Sequence, residues 1–337
     1  MTYRVTVQPN ELSFSCDKGQ SIAEAAQQSG VRIPVSCKNG VCHICRAELL
    51  SGEAIMPTGK QVSSTDKTSE IFVCHAQPNT DIEIRMPGVF GPKQLPMKEI
   101  TCQIKSVEAL QAHVYRVVME QPAGKPAEFF SGQYLALDLP HRDDDSFFSI
   151  ASSPGKREIE LHIQADPHLE KALETIEFLK SSPSVKVKLP FGNACLDRVP
   201  DSGVLLLAAG TGYAQMKSLI EYLLENGFDK ELTLYWTARK HSDLYALEAL
   251  EALSTKHTNF RFLSIVADSS EDIQTTEHHS MLADAVLAGH DDLSSYQVFV
   301  AGSPKLVYST LDALETAGLK DDAFFSDVLE YVSRDQI

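Results

Sequence analysis

The 337-residue chain has one tryptophan and no apolar run approaching the ~18 residues that a membrane-crossing helix needs. Its longest candidate, Val204 to Ala209, has the length of a core strand. The opening MTYRVTVQPNELSF alternates like a strand and lacks the cationic start and apolar block of a signal peptide. Gly (18) and Pro (16) are too sparse for a collagen-like chain, and 43% hydrophobic with 23% charged residues excludes a disordered one. Positive charge is the scarce sign. Thirty Lys+Arg face 46 Asp+Glu, a net charge of −16, which argues against nucleic acid or an anionic membrane surface as partner. Seven cysteines make an odd number for a disulfide framework, so the thiols are expected reduced, in a cytoplasmic setting.

What is present falls into three textures, with no internal repeats. Residues 1–90 carry 8 Lys+Arg and 9 Asp+Glu, nearly neutral, and leave 22 against 37 for the remainder. Strand-like alternation at 2–8 and 11–16 flanks a Pro9-Asn10 turn, and SIAEAAQQSG predicts a helix with a Ser21/Glu24 capping box and a stop at Gly30. Short strands are predicted at Arg46–Leu50 and Asp81–Arg85, and the Pro- and Gly-containing stretch at 91–99 reads as a linker. Six alternating segments across 100–198 predict a small antiparallel β-barrel. From 199 to 337, VLLLAAG and later apolar strands alternate with helical segments, which predicts an α/β parallel-sheet nucleotide-binding domain.

Cys37, Cys42 and Cys45 form C-x4-C-x2-C, with Cys74 further on. This is the ligand spacing of plant-type [2Fe–2S] ferredoxins, in which a tight loop and one distant residue bring four thiolates to two irons. Gly40 lets the loop curl. Structural zinc ordinarily draws on two close cysteine pairs, and here the fourth cysteine stands alone. A Rieske centre would use His in place of two thiolates; with four cysteines to hand, His43 and His75 are not needed as ligands. Cys16, Cys102 and Cys195 lack any such spacing and read as core residues.

Gly210-Thr211-Gly212 lies between a buried strand and a helix, where glycines permit close phosphate approach and the helix N-terminus offers free N–H groups. Lys217 and Ser218 are too far along to complete a Walker A frame.

GQSIAEAAQQSGVRIPVSCKNGVCHICRAELLSGEA resembles the ferredoxin domain of bacterial NAD(P)H-dependent ferredoxin–flavin reductases, the electron-supplying components of multicomponent oxygenases and deoxyhexose-forming reductases. The resemblance implies an α+β β-grasp ferredoxin domain over 1–90. Residues 100–337 resemble the ferredoxin–NADP⁺ reductase module, most nearly reductases acting on free flavin, which implies that the barrel binds flavin. Relatives carry Arg-x-Tyr-Ser on a barrel strand, for flavin phosphate, ring stacking and the reactive ring nitrogen. Here the match is Ser146-Phe147-Phe148-Ser149, which keeps an aromatic at Phe148 and the final Ser149 but loses the Arg behind Asp143, Asp144 and Asp145. The family's Gly-rich phosphate turn is also missing, and His168 and Lys171 are the substitutes on hand. Where relatives have Pro after the GTG the chain has Gln215, and where many have a Cys near the nicotinamide it has Ala301.

The expected roles follow. Cys37, Cys42, Cys45 and Cys74 hold the cluster; Ser149 contacts the flavin ring as the catalytic residue, beside Phe148 and Ser146; Gly210, Thr211 and Gly212 hold the nucleotide. Asp268, in place of the Ser-Arg of NADP-selective relatives, favours NADH over NADPH, although Arg239 and Lys240 offer cations for a 2′-phosphate. Nicotinamide delivers two electrons and the cluster takes one, so a flavin, FAD or FMN, must divide the pair. The expected partner is an oxygenase, desaturase or deoxygenase. The alternatives are a flavin-free iron–sulfur subunit of a larger complex and a reductase of free flavin.

Overall fold

The computed structural model describes residues 1–337 except 39, 67, 68, 141, 143 and 267–274, and only the backbone of 275–279. The chain divides into two compact units, Met1–Pro96 and Met97–Ile337.

In the first unit, β1 (Thr2–Gln8) pairs antiparallel with β2 (Leu12–Asp17), and α1 (Ile22–Gln28) follows. The Ser21 side chain accepts from the Glu24 N–H while Glu24 reaches back to the Ser21 N–H, which satisfies two helix-end donors. Ile22, Ala25 and Ala26 sit on the buried face of α1, and Gly30 at φ +72 turns the chain out of it. β3 (Arg46–Ser51), β4 (Glu53–Ile55), β5 (Gln61–Ser63), β6 (Glu70–Phe72), β7 (Gln77–Pro78) and β8 (Ile82–Arg85) complete the unit. They form a five-stranded sheet of order β2-β1-β8-β3-β6 and a small sheet of order β5-β4-β7. The stretch read as a linker divides at Pro96: Phe90 pairs with Arg32 in the first unit, and Lys98 already opens the first strand of the second.

The second unit begins with β9 (Lys98–Ala109), β10 (Val114–Glu120), β11 (Tyr134–Asp138), β12 (Ser146–Ser149), β13 (Glu158–Gln164), α2 (Glu170–Ser181) and β14 (Ser184–Phe191). The six strands make one antiparallel sheet of order β12-β11-β14-β9-β10-β13, and an Ile150–Leu161 bridge brings its two edges together as a nearly closed barrel. Leu135, Leu137, Leu161 and Val187 fill it.

Next come β15 (Gly203–Ala209), α3 (Tyr213–Glu225), β16 (Leu232–Ala238), α4 (Leu247–Lys256), β17 (Phe260–Val266), α5 (Thr275–Gly289), β18 (Tyr296–Ala301), α6 (Pro304–Glu315), β19 (Phe324–Phe325) and α7 (Val328–Tyr331). The sheet is parallel, with order β17-β16-β15-β18-β19. The VLLLAA run is apolar throughout because its alternate residues enter different cores: Val204, Leu206 and Ala208 one, Leu205 and Leu207 the other. Among the described residues no helix is long and apolar enough to cross a membrane.

Candidate cluster, flavin and nucleotide sites

The loop between α1 and β3 carries three of the four cysteines. It curls through left-handed backbone at Lys38 (φ 53), Gly40 (φ 75) and His43 (φ 60). At Gly40 an added Cβ would only touch the His75 ring, at 3.4 Å, so the left-handed backbone is what favours glycine there. The Cys42 N–H points to Cys37 Sγ at 3.4 Å, and the Gly40 N–H is directed at Cys74, which lies 3.1 Å from Cys45 through the two Sγ atoms. Burial, and then the neighbouring Cys45 thiol, push the Cys74 thiol up to about 11. Two such sulfurs ionise together only beside a compensating cation.

Among the described residues no three His, Cys, Asp or Glu close on the single point that one metal ion requires. A two-iron cluster asks for pairs of sulfurs, each spanning the edge of an iron tetrahedron, about 3.7 Å for metal–sulfur bonds of ~2.3 Å. The Cys45–Cys74 pair and the N–H groups aimed at sulfur suit that demand. His43 is exposed against Phe72 at 4.9 Å between rings, and His75 lies beside Gly40. Cys16 and Cys102 are buried core thiols, each pushed up to about 11 by burial first, and Cys195 is buried as well.

In the second unit the chain leaves β15 to one side for β16 and to the other for β18. The crevice beyond their carboxyl ends is therefore the switch point at which open α/β sheets bind ligands. Gly210-Thr211-Gly212 forms the turn there. The Gly210 carbonyl accepts from Trp236 Nε1 at 2.9 Å, and Gly212 lies so close to β18 that an added Cβ would meet the Ala301 carbonyl oxygen at 2.5 Å. Gly212 caps α3 and puts no side chain over the helix N-terminus, where the Tyr213 N–H bonds back to the turn. Arg239 and Lys240 are exposed after β16; Asp268 lies outside the described residues.

Lys217 and Ser218 tie α3 to the barrel. Lys217 Nζ reaches Glu160 and Glu221, and Ser218 Oγ donates to the Ser152 carbonyl. Gln215 does more than its sequence position suggested. Its Nε2 reaches the Gly132 carbonyl (2.7 Å), the Ala194 carbonyl (3.3 Å) and Asp327 Oδ2 (2.9 Å), joining helix, barrel and C-terminal segment. Burial pushes Asp327 up from 3.8 to about 7, with Glu330 adding to it against the donated bonds. Folded protein thus holds this proton where unfolded protein has lost it. The stability from that proton is full below about 4 and disappears as pH rises to about 7. Asp327→Asn should abolish this component: the difference in melting temperature between variant and parent should change across that interval and level off above it.

On the barrel, β11 pairs with β12 so that Leu135 faces Phe148, Leu137 faces Ser146 and Tyr134 faces Ser149. Opposed residues share a face. Phe148, expected beside the flavin ring, shares the face of Leu135 and is half-buried against the barrel core. Phe147 is the exposed ring, 55% open, on the outer face with Ser149 and Tyr134. Tyr134 and Phe191 stack at 5.7 Å, and Phe147 stands edge-on to both. Strand alternation, not motif position, decides which of the two aromatics is the more exposed. This aromatic face, with the hydroxyls of Ser149 and Tyr134, suits a flat flavin ring.

Its flanks suit phosphate less well. Arg142 is forked onto Asp144 through Nε and Nη2, both at 2.9 Å; Lys171 reaches the same carboxylate at 3.1 Å, and Lys188 pairs with Asp145 at 3.0 Å. Lys171, a sequence candidate for the missing phosphate ligand, is thus engaged, while His168 is exposed ahead of α2.

Comparison with known proteins finds matches to both units of the chain. Residues 5–78 match the 2Fe-2S iron-sulfur cluster binding domain, and residues 206–311 match the oxidoreductase NAD-binding domain. The chain is 29% identical over 330 residues to reductase component 1 of terephthalate 1,2-dioxygenase from Comamonas sp, covering 97% of each. The chain joins the two kinds of domain found in the ferredoxin–flavin reductases it is similar to. This reductase is also 27% identical to the CDP-6-deoxy-L-threo-D-glycero-4-hexulose-3-dehydrase reductase of Yersinia pestis, over 97% of the chain and 98% of that protein. Its fold matches the Amycolatopsis cytochrome P450 reductase GcoB with a TM-score of 0.61 at 23% identity, covering 97% and 98% of the two chains. The family is one of NAD(P)H-dependent oxidoreductases that use a [2Fe–2S] cluster, a flavin and a nicotinamide nucleotide.

Proposed function

We propose that this reductase takes hydride from NADH and delivers single electrons through its cluster to a partner oxygenase, desaturase or deoxygenase in the cytoplasm. One observation carries the proposal: a single chain holds a loop of three cysteines with a fourth, Cys74, against it and, in its other unit, a glycine turn at the switch point and an aromatic barrel face. Flavin, when bound, supplies the conversion between two-electron and one-electron chemistry.

The chain's own residues do the remaining work. Gly210, Thr211 and Gly212 admit the nucleotide phosphates at the α3 N-terminus. Trp236 holds the turn, and Gln215 with Ser218 fixes it against the barrel, so that the nicotinamide is presented to the barrel in one geometry. Ser149 offers a hydroxyl to the ring beside Phe147. Cys37, Cys42, Cys45 and Cys74 are the cluster ligands, with N–H groups of Gly40 and Cys42 aimed at sulfur.

The test is the visible spectrum of the purified protein under anaerobic conditions, before and after stoichiometric NADH. Flavin and iron–sulfur bands should bleach together. An iron–sulfur spectrum that ignores NADH even after flavin is added would sink the proposal in favour of a flavin-free electron-transfer subunit.

A further inference from the structure

We infer that His162 is a positioning residue for hydride transfer. Held by Glu160 on one side and Tyr245 on the other, it fixes where the Gly210-Thr211-Gly212 turn stands against the barrel. It thereby sets the rate at which hydride leaves the nicotinamide and not the affinity for the nucleotide. The inference rests on the NADH step of the proposed function.

Alternation along β13 sends Ile159, Leu161 and Ile163 into the barrel core and Glu160 and His162 to the opposite face. That face would ordinarily meet water, yet the two residues are only 8% and 7% exposed, covered by side chains of α3 and by Tyr245. Glu160 Oε2 accepts from Arg116 Nη2 at 2.9 Å, and its Oε1 lies 2.8 Å from His162 Nε2 and 3.2 Å from Lys217 Nζ. Burial opposes a charge on Glu160, but the His162 bond, the Lys217 charge and the Arg116 bond outweigh it and hold the carboxyl well below its usual range. An ionised carboxylate only accepts, so His162 Nε2 carries a proton. The other ring nitrogen, Nδ1, is 3.1 Å from Tyr245 Oη. Burial keeps that hydroxyl protonated, so in the neutral imidazole Nδ1 accepts from it.

From His162 the contacts lead to the turn. Its ring lies 6.1 Å from that of Tyr213, the residue after Gly212. Tyr213 stacks on Trp236 at 4.4 Å, and Tyr245 stands edge-on to Trp236 at 5.2 Å. Trp236 in turn donates to the Gly210 carbonyl. Buried ion clusters gain little over well-packed apolar groups of the same volume, so an apolar seam would join barrel and α3 as firmly. What the directional bonds add is a single orientation. The shape of the turn is kept by Trp236 and by Gly212 against Ala301, so loss of His162 should shift the turn as a body and leave that shape intact.

The experiment uses the full-length protein with its flavin and cluster. His162→Leu removes both bonds with little change of volume, and Tyr245→Phe removes only one hydroxyl. Each should slow stopped-flow reduction of the flavin by NADH about 100-fold, the cost of displacing reacting groups by about an ångström. The dissociation constant of NAD⁺, measured by calorimetry, should stay within about threefold of the parent's, which separates positioning from binding. The double variant should be no slower than either single one, because both changes cut the same chain of contacts. The turn also has its own reporter. Trp236 is the sole tryptophan and fully buried, so its emission spectrum should shift in both variants.

Rates within about twofold of the parent, or NAD⁺ affinity lost in the same measure as rate, would overturn the inference and leave the proposed function standing. A double variant slowed by the product of the two single effects would overturn the shared chain of contacts, and an unshifted Trp236 spectrum would overturn displacement of the turn. A parent protein whose flavin NADH does not reduce would overturn the proposed function and this inference with it.

Discussion

Cys74→Ser is expected to lose the cluster and, with it, electron delivery to any one-electron acceptor protein, by more than about 100-fold, given that even an outer partner of a ligand is worth 10–100-fold. The sulfur of Cys74 stands 3.1 Å from Cys45 and receives the Gly40 N–H, so a serine would put a harder, less easily ionised oxygen where iron needs soft thiolate. Iron and sulfide content, the visible bands and electron paramagnetic resonance after reduction read the loss directly. NADH-dependent reduction of flavin should survive, because the second unit has cores of its own. Cys16→Ser is the internal comparison: that thiol is buried against the Gln20 carbonyl, away from the loop, and its loss should leave the cluster in place. A Cys74→Ser protein with full iron content would show that the fourth ligand lies elsewhere.

Gly212→Ala should reduce kcat/KM for NADH by about 100-fold, the penalty expected when reacting groups are displaced by about an ångström. The methyl group would meet the Ala301 carbonyl oxygen at 2.5 Å and its carbon at 3.0 Å, and backbone on both sides cannot swing away as a flexible side chain would. The turn must then back off β18, carrying the α3 N-terminus, the proposed phosphate site, with it. Flavin affinity should hardly change, since the aromatic face belongs to β11, β12 and β14. Titration with NADH separates binding from chemistry, and thermal melting separates both from misfolding. A variant within twofold of the parent would remove the glycine turn from the nucleotide site.

Much of this architecture is written in local pattern. The Ser21/Glu24 capping box, the helix stop at Gly30, the six barrel strands and the continuous apolar β15 each follow from contacts a few residues apart or from strand period. The cluster loop is equally legible, because C-x4-C-x2-C is a constraint on one short segment. The small sheet of β4, β5 and β7 leaves no trace in the sequence, since strands of two or three residues carry no period.

The flavin and nucleotide sites were less legible, for a physical reason. Whether Phe147 or Phe148 is free depends on which face of the barrel its strand presents, and that is set by pairing with Leu135 and Tyr134. Whether Lys171 can take a phosphate depends on Asp144, 27 residues away in the chain. Gln215 showed in sequence only as a departure from proline, yet folding places it against Gly132, Ala194 and Asp327, from three distant segments. Segment type and the cysteine spacing of the candidate cluster loop are thus encoded by short-range spacing and composition. Which cations stay unengaged, which ring faces solvent and what holds the glycine turn are decided by charges and side chains that meet only when the barrel closes and the parallel sheet packs against it.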